Sequence, residues 1–346
     1  MSTAIQSQSL RVAVAGIDHG HVGWILGRKD KTDIQLVGVY SADTALAKRY
    51  AKQYGFSEKL VYGDLARMLD ETKPQAVLAF GSIFSHLSVV EAAAPRGIHV
   101  MVEKPLAVSL DHAHKMAALA EKHNIHLLTN YETSWYPSVA KAFQLTHDSD
   151  YVGNVRKVVV HDGHAGPKEI GCSPEFLAWL TDPVLNGGGA LTDFGCYGAN
   201  IMTYLMKDQQ PVAVTAVTRQ YKPSVYPKVD DDATIIVDYA SAQCIIQASW
   251  NWPYSRKDME IYGDKGFIFA PDRNTIVTQR DAPHTTRITA SDVFVYEDPF
   301  LYLRDVINGK LKPTRDVYSL ENNLTVMKIL EAAKESARTG KRVAFN

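Results

Sequence analysis

The chain has 346 residues, a formal net charge of -1, 46% hydrophobic and 22% charged residues, and cysteines at 172, 196 and 244 only. That length accommodates two ordinary domains, and the near-neutral charge excludes a nucleic-acid or membrane-surface role based on bulk electrostatics. Three scattered cysteines form neither a disulfide framework nor a metal motif and point to a reducing, cytoplasmic compartment. The polar start "MSTAIQSQSL" lacks the apolar core of a signal peptide and reads as a short disordered leader over residues 1–9. No window approaches the ~18 apolar residues a spanning helix needs.

The first expected strand, Arg11 to Gly16, is a short β-branched run ending in glycine. The turn after it reads Gly16-Ile-Asp-His-Gly-His-Val22. A dinucleotide site needs glycine there, so that backbone can approach a pyrophosphate at a helix N-terminus. Here the spacing is G-x-x-x-G-x-x-G once Gly23 is counted, with His19 and His21 in place of small residues. Both can hydrogen-bond phosphate. As metal ligands they have no third ligand nearby in sequence, and no metal is expected.

A second strand runs from Gln35 to Tyr40. The residue after it reads the adenosine ribose, and an acid there would favour NAD. Ser41 stands there instead. It leaves room for a 2′-phosphate, with Lys48 and Arg49 nearby, so the choice between NAD and NADP leans to NADP. Asp43 is placed to cap the next helix.

Helical spacing follows over Thr44–Tyr54, Asp64–Thr72, Leu87–Ala94 and Leu110–Lys122. Apolar runs at Ala76–Phe80, His99–Glu103 and His126–Thr129 alternate with these helices. Continuous apolar strands between helices predict a doubly wound parallel sheet covered on both faces. In "MVEKPLAVS", residues 101–109, one such run ends in Glu103 and Lys104. Pro105 cannot extend the ladder and restricts Lys104, which is left at the carboxyl edge where open α/β sheets bind ligands. A lysine there can meet a reacting hydroxyl and lower the pKa of a neighbouring acid.

Past residue 130 the strands alternate apolar with polar residues: Val155–His161, Val212–Gln220, Ala233–Tyr239, Gln243–Asn251 and Asp258–Tyr262. Alternation predicts a largely antiparallel sheet with two unlike faces. Between the first two of these strands, Asn186-Gly-Gly-Gly-Ala-Leu-Thr-Asp193-Phe-Gly-Cys-Tyr197-Gly-Ala-Asn200 puts three glycines before a helix. Asp193, Tyr197 and Asn200 fall on one polar stripe at i, i+4 and i+7. Such a stripe on a buried helix needs partners or a pocket. Tyr197 would serve as proton donor with its pKa lowered by a nearby cation. Ser319–Thr339 completes the pattern as a long amphipathic helix stopped by Gly340.

"EKP" followed some ninety residues on by "GGGALTDFGCYGAN" resembles the Gfo/Idh/MocA oxidoreductases, and the C-terminal "SLENNLTVMKILEAAKESARTGKRV" extends the resemblance over nearly the whole chain. It implies a Rossmann domain over residues 1–130 and a substrate and oligomerisation domain over 131–318, built on a large, mostly antiparallel open sheet. A C-terminal helical segment, 319–346, packs back on both. It implies NAD(P)-dependent hydride transfer at a sugar or cyclitol carbon, with Lys104 as catalytic lysine and Asp193 as helper carboxylate. Many members carry His where this chain has Tyr197, so Tyr197 looks like the acid/base of a tyrosine branch that includes glucose-fructose oxidoreductase and the dihydrodiol dehydrogenases. The implied dinucleotide site comprises Gly16, Asp18, His19, His21, Val22, Ser41, Gly81, His86, Glu103, Lys104 and Pro105.

Two departures stand out. The usual Thr-Pro-Asn is Gly81-Ser82-Ile83, and Asn130-Tyr-Glu-Thr replaces Asn-Arg-Arg, so Glu132 is expected to meet cofactor or substrate. His161, His164, Trp179, Trp252 and Arg256 are further expected substrate contacts, since sugars stack on aromatic rings and offer hydroxyls to charged groups. Two other activities fit the same motifs: glycoside cleavage or epimerisation with a retained nucleotide, and non-enzymatic sugar or nucleotide sensing. The expected partner is a small carbohydrate or polyol rather than nucleic acid or membrane, with self-association into a homodimer or homotetramer.

Overall fold

The computed structural model describes residues 9–29 and 32–345, so all but the last residue of the expected leader lies outside the described residues. The chain begins with alternating elements: β1 (Leu10–Ala15), α1 (Val22–Leu26), β2 (Ile34–Tyr40), α2 (Thr44–Tyr54), β3 (Val61–Tyr62), α3 (Leu65–Thr72), β4 (Ala76–Ala79), α4 (His86–Ala93), β5 (His99–Glu103), α5 (Leu110–Lys122) and β6 (Leu127–Asn130). These six strands pair in parallel in the order β3-β2-β1-β4-β5-β6. Val12 and Val14 enter one apolar cluster and Ala13 and Ala15 the other, as a strand covered on both faces requires. The two-residue β3 is too short to show in the apolar pattern. Asp43 caps α2 as expected, accepting from the backbone of Ala45 and Leu46.

The rest of the chain adds α6 (Pro137–His147), β7 (Val155–Gly163), α7 (Pro174–Leu180), α8 (Ala190–Asp193), α9 (Gly195–Leu205), β8 (Ala213–Arg219), β9 (Asp232–Asp238) and β10 (Gln243–Ser249). It ends with β11 (Arg256–Gly263), β12 (Phe267–Ala270), β13 (Thr275–Gln279), β14 (Pro283–Arg287), α10 (Pro299–Ile307), α11 (Leu320–Thr339) and β15 (Val343–Ala344). Nine strands form a second sheet in the order β14-β13-β12-β11-β7-β10-β9-β8-β15, antiparallel except for β7 beside β10. One face of it carries α9 and α11, and α11 also reaches α5 of the first half. Helix α10 folds back onto the first sheet, burying Phe300 and Leu303 among Val12, Val14 and Met101.

The expected single helix from Asp193 to Asn200 is instead two. The chain breaks at Phe194, and Gly195 opens α9. Gly198 then lies so close to the sheet that a Cβ there would come within 2.7 Å of Ile246. The polar stripe is correspondingly divided. Asn200 turns to the Val317 carbonyl and to Asn323, inside the core.

Candidate active site

In a sheet of this order the chain leaves β1 and β4 in opposite directions, and a crevice opens at their carboxyl ends. Gly16 ends β1 at φ +78, and a Cβ on it would lie 2.5 Å from the backbone nitrogen of Gly81. Both loops therefore pass close together beneath the crevice, and Gly16→Ala would push them apart. His19, His21, Lys104, His164, Tyr197 and Lys257 line a 460 Å³ cavity there, which α7 closes through Ser173 and Phe176.

Lys104 is buried just past β5, where the Lys104–Pro105 bond is cis. Its ammonium lies 2.5 Å from one carboxylate oxygen of Asp193 and 3.0 Å from the Asp193 carbonyl. The other carboxylate oxygen accepts the Trp250 indole N–H at 3.0 Å. Burial alone would raise the Asp193 pKa, but Lys104 outweighs it and holds the carboxyl below its usual range. Burial likewise lowers Lys104, and Asp193 outweighs it and raises the ammonium. Both groups are thus charged in the folded protein.

Tyr197 lies close to two ammoniums, with Lys104 Nζ 5.2 Å and Lys257 Nζ 4.9 Å from its ring centroid. Lys257 is held by Glu132, whose second oxygen accepts the Tyr136 hydroxyl at 2.6 Å. The tyrosine therefore has two lysine–carboxylate pairs beside it. The expectation that a cation lowers its pKa does not hold. Burial dominates, the carboxylates Asp162 and Glu132 act in the same direction, and the phenol is raised well above its ordinary value. Tyr197 is a proton-bearing group at neutral pH.

Glu103 is buried beside His19 and His21 of the loop that follows β1. It accepts from Asn130 at 2.5 Å and pairs with His21 Nδ1 at 3.0 Å, with His19 Nε2 at 4.0 Å. The absence of a third ligand near His19 and His21 is thereby corrected, since the fold supplies Glu103 from a distant strand. His19 Nδ1 accepts the His21 backbone N–H at 3.0 Å. That bond keeps the ring proton of neutral His19 on Nε2, the atom turned to Glu103. A hydrogen-bonded trio accounts for this geometry.

The other expected residues divide. Glu132 and His164 line the cavity. Trp179 lies beneath His19, ring centroids 5.7 Å apart, rather than at the opening. His161, Trp252 and Arg256 gather around Asp258 instead, with His161 2.9 Å and Arg256 2.6 Å from it. Neighbouring strand residues point to opposite faces. His161 and Arg256 therefore face away from the cavity, while Asp162 and Lys257, paired across β7 and β11, share the inner face. Lys257 belongs to the aromatic and cationic stretch 250–257 that reads as a substrate contact, but no signal in the sequence prefers it to Arg256 or prefers Asp162 to His161. Burial raises the Asp162 pKa well above the carboxylate range, and its Oδ1 has no partner among the described residues.

Val22 opens α1 and is buried, and Asp18 is half-buried. His86 does not reach the cavity. It is fully buried, and its Nδ1 meets the Leu106 carbonyl at 3.1 Å, bracing the segment after Pro105.

These histidines give the protein an acid response. Burial lowers His86 to about 4 from 6.5 and His19 well below 6.5. The unfolded chain then takes up protons that the folded chain refuses, so stability falls as pH drops from 6.5 towards 4. Burial would raise Glu103, but His21 outweighs it and sets about 2 against 4.5, so its contribution is lost between pH 4.5 and 2. Thermal unfolding followed from pH 7.5 downward should show the midpoint falling below pH 6.5. A flat midpoint down to pH 4.5 would contradict the burial of neutral His19 and His86.

Residues 10–131 match the oxidoreductase family with an NAD-binding Rossmann fold, and residues 142–269 match the GFO/IDH/MocA C-terminal domain. The chain belongs to the GFO/IDH/MocA family of oxidoreductases. Among curated relatives, the trans-1,2-dihydrobenzene-1,2-diol dehydrogenase of Xenopus laevis is 26% identical over 73% of this chain and 75% of its own. The 1,5-anhydro-D-fructose reductase of Ensifer adhaerens is 21% identical over 88% and 91%. Among solved structures, an inositol dehydrogenase homologue from Azotobacter vinelandii complexed with NAD+ superposes with a TM-score of 0.83, at 18% identity over 98% of each chain. The aldose-aldose oxidoreductase of Caulobacter crescentus gives 0.81 at 23% identity, over 97% of this chain and 100% of its own. At such identities the structural likeness shows the fold. No helix among the described residues is long and apolar enough to cross a membrane.

Proposed function

We propose that this oxidoreductase moves hydride between a nicotinamide dinucleotide and the hydroxyl-bearing carbon of a sugar, sugar derivative or cyclitol. The observation that carries the reading is the Lys104–Asp193 ion pair beside Tyr197 in one cavity at the carboxyl edge of a Rossmann sheet. The relatives named as diol, anhydro-fructose and inositol enzymes support the substrate class.

The crevice suits a dinucleotide. Gly16 and Gly81 would carry it over the sheet, and Glu103 with Asn130 would meet the nicotinamide ribose. A bound nicotinamide supplies the hydride acceptor or donor. In reduction, the protonated Tyr197 gives its proton to the new alkoxide, and the fixed Lys104 ammonium stabilises the charge that develops there. In oxidation the substrate hydroxyl gives its proton to the phenolate form of Tyr197, which rising pH populates. Asp193, held by Trp250, keeps Lys104 in place. Lys257 and Glu132 offer hydrogen bonds to further hydroxyls. The phenol's raised pKa keeps Tyr197 in its proton-bearing form near neutral pH.

Ser41 leaves room for a 2′-phosphate, yet its surroundings are anionic. Burial, then Glu175 and then Asp43, raise the Asp18 pKa, so three carboxylates converge near that end of the crevice. Arg49 is held by Glu175 at 2.9 Å. A dianionic phosphate would meet repulsion there, and NAD is the proposed cofactor against the lean from Ser41 alone. Titration following nicotinamide fluorescence should give a Kd for NADH at least ten-fold below that for NADPH. Equal or tighter NADPH binding would contradict this assignment.

The outer face of the second sheet leaves Val159, Ile236, Ile245 and Phe269 half-buried in the single chain. Such an open face suits a second copy. The proposed unit is a homodimer or larger, which sedimentation would show.

A further inference from the structure

A second cavity of 340 Å³ adjoins the first, lined by Trp24, Trp135, Arg273, Glu297 and Asp298. Glu132 lines both. The partition between them is thin, because His21, facing the catalytic cavity, stacks on Trp24 with ring centroids 3.8 Å apart. Trp135 meets Trp24 edge-on at 6.0 Å. The volume falls in the ~300–1,000 Å³ range of small-molecule sites.

We infer that this chamber is a subsite for the second ring of a two-ring carbohydrate whose first ring reacts beside Lys104 and Tyr197. The inference rests on the oxidoreductase reading and narrows its substrate to glycosides. Two indoles offer apolar walls for the C–H face of a sugar ring. At the rim, Glu297 accepts hydrogen bonds from hydroxyls, and Arg273, whose guanidinium lies 5.1 Å from the Tyr136 ring centroid, donates them. Asp298 is held by Arg28 and by the Leu301 backbone N–H, which it caps, and only shapes the wall. That mixture fits a polyhydroxylated ring better than an aromatic aglycone, which would leave the charged groups facing an apolar edge. Glu132 stands where the bond between the two rings would pass. It is fixed on Tyr136 at 2.6 Å and on Lys257, so it is preorganised to bind a hydroxyl at the junction.

The test is a comparison of one-ring and two-ring sugars. NADH formation is measured with glucose and galactose and with cellobiose, maltose, lactose and trehalose. Wild type, Trp24→Ala and the exposed-site variants Glu297→Gln and Arg273→Gln are compared, and tryptophan fluorescence of the NAD-loaded protein is titrated with the same sugars. The expected result is a kcat/KM for at least one disaccharide ten-fold or more above that of its component monosaccharide. Trp24→Ala should reduce that ratio at least ten-fold through KM, the two rim variants should reduce it less, and the preferred disaccharide should quench fluorescence. Monosaccharides equal to or better than every disaccharide, a ratio unmoved in all three variants, or absence of quenching by any disaccharide would overturn the subsite. So would loss of NADH binding in Trp24→Ala, because the chamber would then belong to the nucleotide. If wild type fails to bind NAD at all, it is the oxidoreductase reading that fails, and fluorescence titration of the nucleotide-free protein still decides the subsite.

Discussion

Tyr197→Phe is expected to lower kcat by ~10²–10⁴-fold, the usual contribution of a positioned general acid–base group, while NADH binding changes far less. Only the hydroxyl is lost. The ring stays edge-on to Tyr131 at 5.4 Å and beside the two lysines, so the site keeps its shape. Because burial and nearby carboxylates keep the phenol protonated, the loss should be largest in the reducing direction near neutral pH. Carbonyl reduction by NADH, measured at several pH values in wild type and variant, checks this. Wild-type turnover in Tyr197→Phe would remove the residue from the mechanism.

Asp193→Leu should destabilise the protein by ~3–5 kcal/mol, the cost of leaving one member of a buried pair without its partner. Lys104 and Asp193 side chains are 6% and 7% exposed, so solvent does little to compensate the stranded ammonium. The cost is specific to breaking the pair, since an apolar replacement of both members is often neutral or stabilising. The double variant Lys104→Met/Asp193→Leu should therefore regain most of the lost stability while remaining inactive. Urea unfolding of the four proteins in the cycle gives the coupling directly. Additive losses would show that the two side chains do not act as a pair in the folded protein.

The fold was legible wherever a single face or period decided the outcome. Continuous apolar strands between helices announced the parallel sheet, and Ser319 and Gly340 marked the ends of the last helix. The grouping of Lys104, Asp193 and Tyr197 was legible through the resemblance of "EKP" and "GGGALTDFGCYGAN" to the family, since Pro105 and the glycine run by themselves leave the roles of these residues open. What was hidden depended on the phase of strands. Arg256 and Lys257 are adjacent cations in one strand, and His161 and Asp162 adjacent polar residues in another. Composition gives no reason to prefer either member, and only the assembled sheet turns Lys257 and Asp162 inward. Contacts between distant elements were equally hidden. Glu103 reaches His21 across 82 residues and Trp250 reaches Asp193 across 57, and no local pattern announces either.

The most direct measurement is sugar-dependent reduction of NAD+ by the purified protein, followed by nicotinamide absorbance, in wild type and in Lys104→Met. The account predicts NADH formation with at least one sugar, polyol or cyclitol in wild type, and its loss by two or more orders of magnitude in the variant. NADH formation that persists undiminished in Lys104→Met, or a wild-type protein that binds neither NADH nor NADPH, would contradict it.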